Sequence, residues 1–249
     1  KNHHPMRIKI KNFLLLIAVV SVTISALAQS NTGNITIHFQ YRANNQSMVL
    51  VDSVYKNIFG ESYQPTRLKY YISNIELRQS PSKNKYKSSV YLIDAAAEQN
   101  LYLSLQPGIY HTLAFSIGVD SSLNGSGAQS GALDPINGMF WTWNTGYIYF
   151  KLEGYSADSP ADLQKIVYHI GGYTGLNKAN RNVELTLAEP LQVVVGKAFQ
   201  LNITVDLDKF WMGKSMTSIA ANALIMSPGV LAAAAADNIP AMFSISSIE

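Results

Sequence analysis

From Asn31 onward, apolar and polar positions alternate with a period of two, the pattern of strands that bury one face. In residues 34–42, Ile35, Ile37, Phe39 and Tyr41 fall on one side, and Thr36, His38, Gln40 and Arg42 on the other. The pattern returns in 68–77, 89–94, 109–120, 165–170 and 199–207. Residues 183–187 and 191–195 read as a pair of strands joined at Glu189-Pro190. Turns are marked by Gln106-Pro107-Gly108, Pro160 and Gly171-Gly172, while the polar run 80–87 reads as a hairpin or loop. Only the last fifth changes character. Residues 210–223 and 230–237 are rich in Ala and Met and predict short helices, before a last strand at 242–246. With many short strands and no βαβ alternation, the pattern predicts an all-β fold: an antiparallel β-sandwich with short helices near the C-terminus.

One stretch stands apart, Gly138 to Gly154. Trp141 and Trp143 are two positions apart, so an extended backbone points both indoles to one face. Asn144-Thr145-Gly146 supplies a turn, and 147–153 then alternates as a strand buried on one side. The run 121–138 before it is rich in Gly, Ser, Asn and Asp. A loop of that length is usually functional or disordered.

Composition sets the address. Arg7, Lys9 and Lys11 precede an apolar run from Phe13 to Ala26 and a small-x-small Ala26-Leu27-Ala28 site. Residues 1–28 therefore read as a secretory signal peptide and 29–249 as one domain, periplasmic or secreted. No later apolar run is long enough to span a bilayer. Absence of cysteine excludes disulfides and thiolate metal sites. Without the leader's four cations, the formal charge falls from +3 to −1, and no basic cluster marks a nucleic-acid face.

The domain holds three histidines, His38, His111 and His169. With no thiolate on offer, a transition metal here needs imidazole or carboxylate. His38 lies on the polar face of the first strand and His169 just before Gly171-Gly172, where a backbone can be approached closely. His111 reads as structural. The tryptophan pair fits either a packed core or an exposed platform for a glycan or protein partner. Asp120, Asn124, Asp134 and Asn137 carry oxygen donors for calcium but match no EF-hand spacing, so they read as a solvated loop. Nucleophile, zinc-protease and phosphate-loop motifs are absent, and nothing fixes the separation of Glu153 and Asp134 as an acid pair. No catalysis is expected.

Taken together, GAQSGALDP (127–135), NGMFWTWNTGYI (137–148), YHIGG (168–172), SPG (227–229), His38-Phe39 and LKYYISNI (68–75) resemble the MbnP-like family. These are copper-associated extracytoplasmic proteins of the MbnP, CorA and MopE type, here in a Bacteroidetes form. The resemblance spans nearly all of 29–249. It implies a sandwich of modified Greek-key type that binds copper for acquisition or storage through histidine nitrogens and a tryptophan oxidised to kynurenine. It also implies a di-haem partner of the cytochrome c peroxidase type that performs the oxidation. On that basis Trp141 or Trp143 is the residue oxidised, and His169 and His38 are the imidazole ligands. All four residues are expected to converge.

Overall fold

The computed structural model describes residues 31–79, 89–143, 146–215 and 217–249. The expected leader and the polar run 80–87 lie outside them. In chain order the strands are β1 (Gly33–Ala43), β2 (Gln46–Ser47), β3 (Tyr55–Lys56), β4 (Ser62–Arg78), β5 (Tyr91–Asp94), β6 (Asn100–Leu105) and β7 (Gly108–Ile117). After the short helix α1 (Ser121–Gly125) come β8 (Phe140–Trp141), β9 (Gly146–Tyr155), β10 (Lys165–Gly171), β11 (Arg181–Val193) and β12 (Ala198–Asp206). The chain closes with α2 (Asp208–Trp211), β13 (Leu224–Ile225), α3 (Val230–Ala236) and β14 (Phe243–Ile248).

These strands make two sheets. The smaller runs β14-β12-β1-β2, with β6 also on β1. The larger runs β11-β7-β4-β9-β10-β13, with β3 and β5 on β4 and β8 on β9. Most pairings are antiparallel, as the pattern predicts, but β1 runs parallel to β12 and β10 to β13. The sandwich is therefore mixed. Its core lies where the two inner faces meet. Ile35, Ile37 and Phe39 of β1 are buried there with Tyr70, Phe150 and Tyr168 of the larger sheet. Phe39 meets Tyr70 edge-on at 6.2 Å between ring centroids, and Phe243 of β14 meets it at 5.6 Å. Each such pair adds about 0.5–1.5 kcal/mol beyond its burial. Helix α2 closes one end, with Phe210 stacked on Phe150 and Trp211 fully buried.

Three local expectations change. Residues 183–195 form no strand pair: β11 passes straight through Pro190, with a bulge opposite β7 between Thr186 and Leu191. Strand β11 lies at the edge of its sheet beside β7, where a missing proline N–H leaves no ladder partner wanting. The predicted helix 210–223 shrinks to α2. Strand β9 is buried on both faces from Gly146 to Leu152, because 119–141 folds over its outer side.

That cover is ordered around Asn124. Its carboxamide is fully buried, donates to the Tyr149 hydroxyl at 2.7 Å and accepts from the Tyr147 N–H at 2.9 Å. Asp134 accepts from the Ile136 N–H, and Asn137 donates to the Gly131 and Ala132 carbonyls. Of the side chains weighed for calcium, Asn124, Asp134 and Asn137 thus hold the cover together, and Asp120 accepts from Asn74 of β4.

Candidate functional site

The outer face of the larger sheet collects the unusual residues. In β9, Phe150 and Leu152 point to the core, so Lys151 and Glu153 point outward. In β10, Ile166, Tyr168 and Ile170 point inward, which turns Lys165, Val167, His169 and Gly171 outward. Across this face Lys69 of β4, Lys151 and His169 are register neighbours, and so are Arg67, Glu153 and Val167.

Glu153 is the hub. Its Oε1 lies 2.7 Å from His169 Nε2 and 3.6 Å from Lys151 Nζ, and its Oε2 accepts from Arg67 Nη1 at 2.6 Å. The hydrogen bond from His169, reinforced by the Lys151 and Arg67 charges, outweighs burial and pulls the Glu153 carboxyl down to about 2. An ionised carboxylate only accepts, so the proton of a neutral His169 sits on Nε2 and the Nδ1 lone pair is left to donate. Lys151 is nearly buried, and desolvation lowers its ammonium pKa against the opposing pull of Glu153. Its Nζ also donates to the Gly138 carbonyl, which ties the loop to the sheet.

The tryptophans stand at the end of the same face. Trp141 is 5% exposed, and its six-membered ring lies directly over Gly171. A Cβ built on that glycine would come within 2.8 Å of the indole and 2.5 Å of the Tyr147 carbonyl. Gly171 is two residues beyond His169 along β10, with a register shift against β9 between Ile170 and Gly171. Trp143 is 66% exposed and leans on Trp141 at 6.0 Å between centroids, tilted by 49°. The two rings do meet, but one is packed and the other open.

His38 does not join them. Its neighbours Ile37 and Phe39 face the core, so its ring points out of the smaller sheet, away from the larger one. There Nδ1 lies 2.9 Å from Asn100 Oδ1 on β6. Two stacked sheets, about 10 Å apart face to face, separate it from His169. The expected convergence of all four residues is thus corrected: His38 stands on the other sheet, and the two indoles meet each other beside Gly171 of the strand that bears His169. Among the described residues, no three His, Cys, Asp or Glu side chains gather closely enough to hold a metal.

Beside His169 there is instead a cavity of about 280 Å³, whose lining includes Glu153, Lys165, Val167 and Met226. Met226 carried no periodic or motif signal that would have drawn attention to it. It reaches the site because β13 runs parallel to β10, a long-range pairing.

Comparison with known proteins places this architecture. The MbnP family model matches residues 32–227. The chain belongs to the MbnP family. Among solved structures, MbnP from Methylosinus trichosporium superimposes with a TM-score of 0.52 at 14% identity, over 74% of this chain and 79% of that one. At that identity the MbnP likeness is one of fold. No curated protein matches the sequence. No helix among the described residues is long and apolar enough to cross a membrane.

Proposed function

We propose that this MbnP-family chain is an extracytoplasmic copper-binding protein, serving acquisition or storage, with no reaction of its own. The observation that carries this reading is the packing of Trp141 over Gly171, two residues along β10 from His169. The donors fit a soft ion of low coordination better than a hard cation. One imidazole nitrogen is directed by a carboxylate, no thiolate exists, and the nearest carboxylate is already held by His169 and Arg67. An unmodified indole is a poor ligand. Conversion of Trp141 or Trp143 to kynurenine cleaves the indole C2–C3 bond with oxygen inserted from dioxygen or peroxide, releases C2 as formate and leaves an aryl amine and a ketone. In this reading a di-haem protein of the cytochrome c peroxidase type catalyses that oxidation. Trp141, held over the strand that bears His169, is the better placed of the two. Copper bound there would supply a reversible one-electron centre. The chain's own residues hold it: His169 donates, Glu153 fixes the ring, and the 119–141 cover excludes water from Trp141.

Elemental analysis and peptide mass of protein matured in its native host test this. Copper that survives dialysis and a kynurenine mass on the Trp141 peptide are expected, with both reduced in Trp141→Phe. Copper-free protein with intact tryptophan would overturn it. A second reading has one observation in its favour, the Trp143 ring left 66% exposed against Trp141. A glycan or protein platform there would show as ligand-dependent quenching that Trp143→Ala removes.

A further inference from the structure

We propose that the Met226 thioether is a second donor beside His169, making the cavity between β10 and β13 selective for copper(I). This inference rests on the copper reading above. Leu224 pairs with Val167 and Ile225 with Tyr168 in parallel register, and Met226 follows directly after the strand, where it lines the same cavity as His169. The faces agree. Ile225 and Tyr168 are buried, whereas Met226 is 50% exposed and lies on the outward side with His169. Both side chains line the same cavity of about 280 Å³. The thioether and the imidazole come from strands more than fifty positions apart in sequence, and only the fold brings them together.

Charge and ligand type then choose the oxidation state. Lys165 and Glu153 are the charged side chains that line the cavity; beside it Glu153 engages Arg67 and Lys151, and Lys69 is paired with Asp94, so cations outnumber carboxylates on this face. Coulomb repulsion from that surplus is twice as large for a dication as for a monovalent ion. Thioether sulfur is a soft ligand that selects copper(I), whereas copper(II) and zinc favour fuller nitrogen and oxygen shells than this cavity provides.

The test is an anaerobic competition titration of the full chain with copper(I) and a chromophoric copper(I) chelator. It is run alongside NMR of methyl-labelled methionine with silver(I) as a redox-inert probe. Met226→Leu conserves volume at a half-exposed position, so the fold is retained. The expected result is copper(I) binding weakened by about tenfold or more, the scale of a disturbed ligand shell, with copper(II) binding unchanged. The Met226 methyl signal should shift with silver(I). Equal copper(I) affinity in wild type and Met226→Leu, with loss only in His169→Ala, would overturn the thioether and leave the copper reading standing. A wild-type chain that takes up no copper(I) at all would overturn both.

Discussion

At the scale of single residues, the site depends on a glycine that yields its place to an indole. Gly171 has no room for a methyl group, since one would strike Trp141 and the Tyr147 carbonyl. Gly171→Ala should therefore cost about 1–3 kcal/mol by overpacking, seen in urea denaturation, and shift Trp141 fluorescence toward that of an exposed indole. The two tryptophans should respond very differently. Trp141→Ala removes a buried ring at a cost of about 3–5 kcal/mol, while Trp143→Ala on the surface should stay within about 0.5 kcal/mol. Comparable losses for both would mean that the packing described here is wrong. That the two indoles meet was legible in the sequence, because residues two apart on an extended backbone share a face. Their different burial was not legible. Period-two reasoning assumes extended backbone through Trp143, whereas β8 ends at Trp141 and a turn follows.

At the scale of elements, strand periodicity served well where one face is buried, as in β1, and failed where tertiary contacts cover both, as in β9. Propensity failed for 210–223 for a related reason. Glu61, just ahead of β4, accepts from the Ser218 hydroxyl and from the Ile219 and Ala220 N–H groups at 2.7–2.9 Å, which pins 218–220 in a turn. A partner more than 150 positions away is invisible to helix propensity. Burial pushes the Glu61 carboxyl up, but these hydrogen bonds and one from Asn57 outweigh it and leave its pKa below the ordinary carboxylate value of 4.5. Because the folded-state value is the lower one, this stabilisation is complete above pH 4.5 and is lost as pH falls further. Amide exchange at Ile219 and Ala220 should accelerate as pH drops below that value, after correction for intrinsic rates. Glu61→Gln should weaken the turn by about 2 kcal/mol, the scale of hydrogen bonds to a charged group. It should also abolish the acid dependence. Exchange that is insensitive to both would remove Glu61 from this role.

At the scale of the whole molecule, the sandwich has two outward faces with different chemistry. The smaller sheet presents His38 among amide and hydroxyl side chains, bonded to Asn100. The larger presents His169, Glu153, Lys151 and the indoles, with Met226 brought alongside by a parallel pairing at the sheet edge. Fold class and the alternating strands were readable from the chain, because burial on one face leaves a local signature. Which outward residues share a face was not, because sheet order depends on pairings between distant segments. The central claim is that the metal-responsive imidazole belongs to the larger sheet alone. Nitrogen-15 NMR of histidine-labelled protein, titrated with copper(I) under anaerobic conditions, reports His38, His111 and His169 in a single spectrum. Our account predicts that the His169 ring signals shift while those of His38 and His111 stay in place; a response at His38, or none at His169, would contradict it.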